Sequence, residues 1–125
     1  MLVIDKMSRK PIYEQIVEGI EREIVTGIIG EQQQLPSIRE LSAILGINPN
    51  TIQKAFFDLD RAGIILSTPG RGCFVAADAK EKIREKMLSK IVELEQMAHE
   101  LARVGVDKAI VLDAIKRAYT AHDTE

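Results

Sequence analysis

Within seven residues, Asn48, Asn50, Thr51, Gln53 and Lys54 bring together side-chain amides, a hydroxyl and an ammonium. None of them is a nucleophile set beside a base. Groups of these types work by hydrogen bonding: an amide pairs bidentately with adenine, and an ammonium favours the acceptors of guanine. Ser37 and Arg39 lie just upstream, and Arg71 stands downstream between Gly70 and Gly72. A cationic tip flanked by glycines suits the narrow minor groove, where negative potential attracts arginine. Catalysis finds no comparable set. His99 and His122 have no third ligand near them in the sequence, and Cys73 sits in a β-rich run beside an apolar neighbour. The histidines read as surface residues and the cysteine as a small hydrophobe. With no metal spacing, phosphate loop or nucleophile motif, the chain is expected to be no enzyme and to need no cofactor or metal.

These residues need short, well-punctuated elements to position them. Pro11 opens a helix whose Ile12, Ile16, Ile20 and Ile24 recur at steps of four, and Gly27 stops it. Residues 28–34 read as a polar connection. Ser37 and Glu40 form an S-x-x-E capping box ahead of Ile38, Leu41 and Leu45, and Gly46 ends this second helix after about two turns. Asn48 then caps a third helix with Pro49 at its first position. Two short helices joined by a tight glycine-containing turn make a helix-turn-helix. The third helix buries Ile52, Ala55, Phe56 and Leu59 and turns Asn50, Lys54, Phe57 and Arg61 outward, with Thr51 and Gln53 at the flanks. Phe57 is expected to pack against the wing or the tail, and Arg61 to be solvated. Ile64–Ser67 and Cys73–Ala76 bracket Pro69, Gly70, Arg71 and Gly72 as a β-hairpin, the wing.

From about residue 78 the pattern becomes helical throughout. Ile83, Met87, Ile91, Leu94, Ala98 and Leu101 follow steps of three and four, close to a heptad seam. Gly105 breaks the helix, Asp107 caps a last one with Val106 and Val111 as a hydrophobic staple, and Val111 and Ile115 lie on its apolar face. A helical hairpin this thin cannot bury its own apolar faces, so a second copy is expected to cover them. The fold class is therefore mainly α: a winged helix-turn-helix domain over 1–77, three helices plus a β-hairpin, followed by a two-helix dimerisation hairpin over 78–125.

Composition sets the bounds. The 125 residues are 46% hydrophobic and 29% charged, as in a globular protein. No apolar run reaches the roughly 18 residues of a membrane helix, and the first residues lack the order of a signal peptide. With one cysteine the chain is expected in a reducing cytoplasm. The formal net charge is −2, and residues 1–77 hold eight Lys/Arg against nine Asp/Glu. Residues 32–77 are better balanced, with Arg39, Lys54, Arg61 and Arg71 against Glu40, Asp58 and Asp60. A single copy is thus expected to hold nucleic acid weakly, which makes the dimer part of the binding device.

The runs P-I-Y-E-Q-I from Pro11, L-P-S-I-R-E-L-S from Leu35, N-P-N-T-I-Q-K-A-F from Asn48 and G-R-G-C-F-V from Gly70 together resemble the GntR family of bacterial regulators over residues 9–77. The short helical tail is similar to that of the YtrA-type subfamily. Gln32 stands where that family usually has a turn glycine, Ser42 where it has alanine, and Cys73 where it has threonine. The resemblance implies a sequence-specific transcription regulator, a repressor that binds an inverted-repeat operator as a homodimer and controls a transporter operon. It makes Arg39 the leading backbone contact, because the helix carrying it crosses the phosphates. Ser37 and Asn48 are caps first and phosphate contacts second. A small-molecule effector stays open, since the tail leaves little room for an enclosed pocket. The rival is a winged helix used for protein–protein contact, which would carry apolar or acidic groups at 50, 53 and 54.

Overall fold

Ile16, Ile20 and Ile24 return to one face of the first helix, α1 (Ile12–Val25), and are at most 2% exposed. Burying each such side chain contributes about 1.5–3 kcal/mol, so this stripe fixes how α1 sits. Pro11 is the N-cap rather than the first helical residue, its φ of −54° leading into the helix. Thr26 closes α1 at its other end, and Gly27 follows with φ +84°. In this computed structural model, which describes residues 2–123, α2 (Ile38–Leu45) and α3 (Pro49–Arg61) come next, and α3 packs on both α1 and α2.

The wing is the antiparallel pair β1 (Ile65–Thr68) and β2 (Gly72–Val75), in the register Ile65↔Val75 to Thr68↔Gly72. Each strand begins one residue away from its expected start, because the turn is tighter than a four-residue tip. The Arg71 N–H donates to the Thr68 carbonyl at 3.0 Å across Pro69 and Gly70. Proline at the second position and Gly70 at φ +76° at the third make this a type II turn.

The connection expected over 28–34 carries more structure than a polar loop. The Gln32 N–H donates to the Val75 carbonyl, the Val75 N–H to the Gln33 carbonyl, and the Leu35 N–H to the Cys73 carbonyl, all at 2.8–2.9 Å. Residues 32–35 thus lie along the outer edge of β2 and tie the wing to the start of α2. Gln32 enters this edge at φ +67°, the only described non-glycine residue with positive φ. That conformation is why a glycine suits the position.

Ala79 and Ile83 of α4 (Ala79–Leu88) are buried with Ile16, Leu59, Ile64, Ile65 and Val75 in one core. The Lys86 ammonium also meets buried Glu21 of α1 at 2.9 Å. The first compact unit accordingly runs Met1–Lys86, and the boundary expected after residue 77 lies further on. Ile83 was expected in the dimer seam; it belongs to this core instead, because its four-residue spacing from Ala79 turns both toward the same apolar wall.

The second unit, Met87–Glu125, contains α5 (Lys90–Arg103) and α6 (Lys108–Asp123). The helix expected to run unbroken from about residue 78 is interrupted at Ser89, a poor residue for a helix interior, although its φ and ψ stay helical. Gly105, at φ +82°, ends α5, and Asp107 accepts from the Ala109 N–H at 3.3 Å at the start of α6. No residue of α5 or α6 is buried; Val111 and Ile115 are half-buried. Met87, Ile91, Leu94 and Leu101 are 40–49% exposed, and Ala98 is exposed as well.

Candidate nucleic-acid interface

The turn between α2 and α3 is built by local hydrogen bonds that its sequence specifies. The Ser37 Oγ accepts from the Glu40 N–H at 3.0 Å, and Glu40 Oε1 accepts from the Ser37 N–H at 3.4 Å, closing the capping box. Gly46 takes φ +65° at the end of α2, and the Ser42 hydroxyl donates to the Ile47 carbonyl at 2.6 Å. The Ser42 hydroxyl therefore adds a bond across the turn that an alanine there would lack. Asn48 Oδ1 accepts from the Asn50 N–H at 2.8 Å, capping α3. Ser37 and Asn48 thus spend their acceptors on caps.

With Ile52, Ala55, Phe56 and Leu59 buried, α3 has a fixed rotation. That leaves Asn50, Gln53 and Lys54 exposed and Thr51 half-buried on its N-terminal half. Arg39, the second residue of α2, is exposed too. Gly72 of the wing, Gln34, Ser37 and Arg39 line one cleft of about 350 Å³, so the start of α2 and the wing share a wall. Gln34 Nε2 donates to the Arg71 carbonyl at 2.8 Å and steadies the tip. Gly70, Arg71 and Gly72 are all exposed at that tip.

Lys54 is not a loose cation. Its Nζ lies 3.9 Å from the centroid of the Tyr13 ring. Burial, and then the neighbouring Glu14 carboxylate, raise the Tyr13 phenol above its ordinary pKa. Phe57, expected against the wing or tail, stays 59% exposed, with the Arg61 guanidinium 5.8 Å from its ring centroid. Its position opposite the buried face of α3 keeps it away from the core.

Sequence reading missed three participants: the 32–35 edge, the Gln34 strut and Tyr13. The glutamines show no strand alternation, and both side-chain contacts join segments far apart in the chain. Among the described residues no group of three or more His, Cys, Asp or Glu is placed to hold a metal, and no helix is long and apolar enough to cross a membrane. The chemistry present is donor and acceptor presentation from a rigid surface.

Known proteins share this arrangement. The pattern of the bacterial regulatory proteins, gntR family, matches residues 12–75. Over 108 residues the chain is 39% identical to the HTH-type transcriptional repressor YtrA of Bacillus subtilis (strain 168), spanning 86% of this chain and 83% of that one. A solved GntR family transcriptional regulator from Listeria monocytogenes superposes with a TM-score of 0.67 at 33% identity, over 91% of this chain and 98% of that one. The crystal structure of AraR(DBD) in complex with operator ORX1 matches 60% of this chain and 93% of its own, with a TM-score of 0.54 at 36% identity.

Proposed function

The chain belongs to the gntR family of bacterial regulatory proteins, and from that premise we propose that it is a cytoplasmic repressor which binds an inverted-repeat operator as a homodimer. It is a transcription regulator with a winged helix-turn-helix for operator DNA, not an enzyme. In the proposed complex Arg39 contacts phosphate from the first turn of α2. Asn50, Thr51, Gln53 and Lys54 read base edges in the major groove. Arg71, presented by Gly70 and Gly72, enters the minor groove. Ser37 and Asn48 add phosphate contacts only through what their caps leave over.

One observation carries this reading. A capped α3 exposes Asn50, Gln53 and Lys54 within the same compact unit as the Arg39 turn and the wing. These are polar and cationic groups, where a protein-docking helix would present apolar or acidic ones. The homodimer is supported by the apolar side chains Met87, Ile91, Leu94 and Leu101, left 40–49% exposed in one chain, with Ala98, Val111 and Ile115 completing the proposed seam. Residues 87–125 are the proposed dimerisation segment. Control of a transporter operon is proposed from the likeness to YtrA alone.

Fluorescence anisotropy with the full chain tests the reading. A duplex that the protein itself selects from a random-sequence library is expected to bind at least about a thousandfold more tightly than bulk DNA at physiological salt. Equal affinity for selected and bulk duplexes sinks it.

A further inference from the structure

Tyr13 is the second residue of α1, and its ring is held at two points. It is half-buried, and its hydroxyl donates to Glu14 Oε1 at 3.2 Å. The Lys54 ammonium sits 3.9 Å from the ring centroid. A cation over an aromatic face is attracted by the ring quadrupole. The two residues belong to α1 and α3, which pack directly on one another through Ile16, Ile20, Ile52 and Leu59. The rigid core fixes the separation of the two helix backbones, and the Tyr13 ring face stands within reach of the Lys54 stem. Tyr13 is protonated at physiological pH as any ordinary phenol is, and burial, then the Glu14 charge, push its pKa further up. Glu14 and Asp58, which both act on that phenol, are the acidic groups facing this corner.

A lysine that docks on a base edge gives up the freedom of a long, flexible stem. Holding the ammonium beforehand reduces that loss and restricts the directions it can reach. We propose that Tyr13 is a positioning residue for operator recognition: its ring face holds the Lys54 ammonium on the outer side of α3 and so determines which base step Lys54 reads. This rests on the reading that Lys54 faces the bases. Tyr13 also packs against the edge of the core, so the Tyr13→Phe and Tyr13→Leu variants are what separate a packing role from a positioning one.

The test uses the full chain and a duplex selected by the wild-type protein, together with a panel of that duplex carrying every single base-pair change. Tyr13→Phe keeps the ring face and is expected to bind within about twofold of wild type with the same base preferences. Tyr13→Leu is expected to weaken binding about two- to fivefold per half-site and to flatten preference at the base step that Lys54→Met also flattens. The double variant should bind no more weakly than Lys54→Met alone. If Tyr13→Leu shifts the melting transition toward the assay temperature, Tyr13→Met serves in its place.

Three results overturn the proposal while leaving Lys54 a reader: additive losses, an unchanged panel for Tyr13→Leu, or a Tyr13→Phe loss equal to that of Tyr13→Leu. The last would place the hydroxyl, not the ring face, at the contact. An unchanged panel for Lys54→Met removes Lys54 from the base-reading set, and the proposal falls with it.

Discussion

Replacing Gly72 with alanine should break the wing selectively. Gly72 has φ +109°, and a Cβ there would stand 2.7 Å from Gln34 Nε2. The left-handed backbone alone costs an L-residue about 1–2 kcal/mol. The clash also forces Gln34 away from the Arg71 carbonyl it holds at 2.8 Å, and such a hydrogen bond contributes about 0.5–1.5 kcal/mol. The sum is about 1.5–3.5 kcal/mol, taken from the wing and its attachment to α2. At roughly 4–8 °C per kcal/mol for a domain of this size, the transition of the Met1–Lys86 unit should fall by about 6–28 °C. Thermal melts followed by circular dichroism measure it, and the same samples titrated with operator DNA should bind more weakly because Arg71 is displaced. Adding Gln34→Ala to Gly72→Ala should cost nothing further, since the bond it removes is already gone. A melting point within about 1 °C of wild type, or fully additive losses, would refute the reasoning.

Gln32→Gly should raise stability by roughly 0.5–1 kcal/mol, the left-handed strain at φ +67° being offset in part by the entropy of glycine; a calorimetric melt checks it. Arg39→Ala should reduce the slope of log affinity against log salt by about one unit for each protomer bound, with the folded state intact. Leu94→Asp should place a charge on the uncovered face of α5 and leave a monomer at micromolar concentration in sedimentation velocity, where the wild type is expected to run as the proposed dimer.

The parts of the fold that were legible in the sequence are those whose causes are local. The Ser37–Glu40 box, the Asn48 cap, Gly46 and the Pro69–Gly70 turn each declare themselves within a few residues, and the helix-turn-helix and wing follow from them. Ile83 shows the limit of periodicity. It continues both the spacing back to Ala79 and the spacing on to Met87, and period alone does not say which partner covers a face. The 32–35 edge was hidden because its ladder uses only backbone groups, and three glutamines in a row carry no alternating pattern. Gln32 itself was flagged by the absence of an expected glycine, and its positive φ shows what that glycine would supply. The Tyr13–Lys54 contact was illegible for another reason: it exists only once α1 and α3 have packed.

Hydroxyl-radical footprinting of the full chain on a duplex it selects is the most direct trial of operator recognition by a symmetric pair of winged domains. Two protected half-sites related by a dyad are expected, centred a whole number of helical turns apart, with protection extending into the flanking minor groove that Arg71 is proposed to enter. One unpaired protected patch, or equal protection of random-sequence DNA, would contradict it.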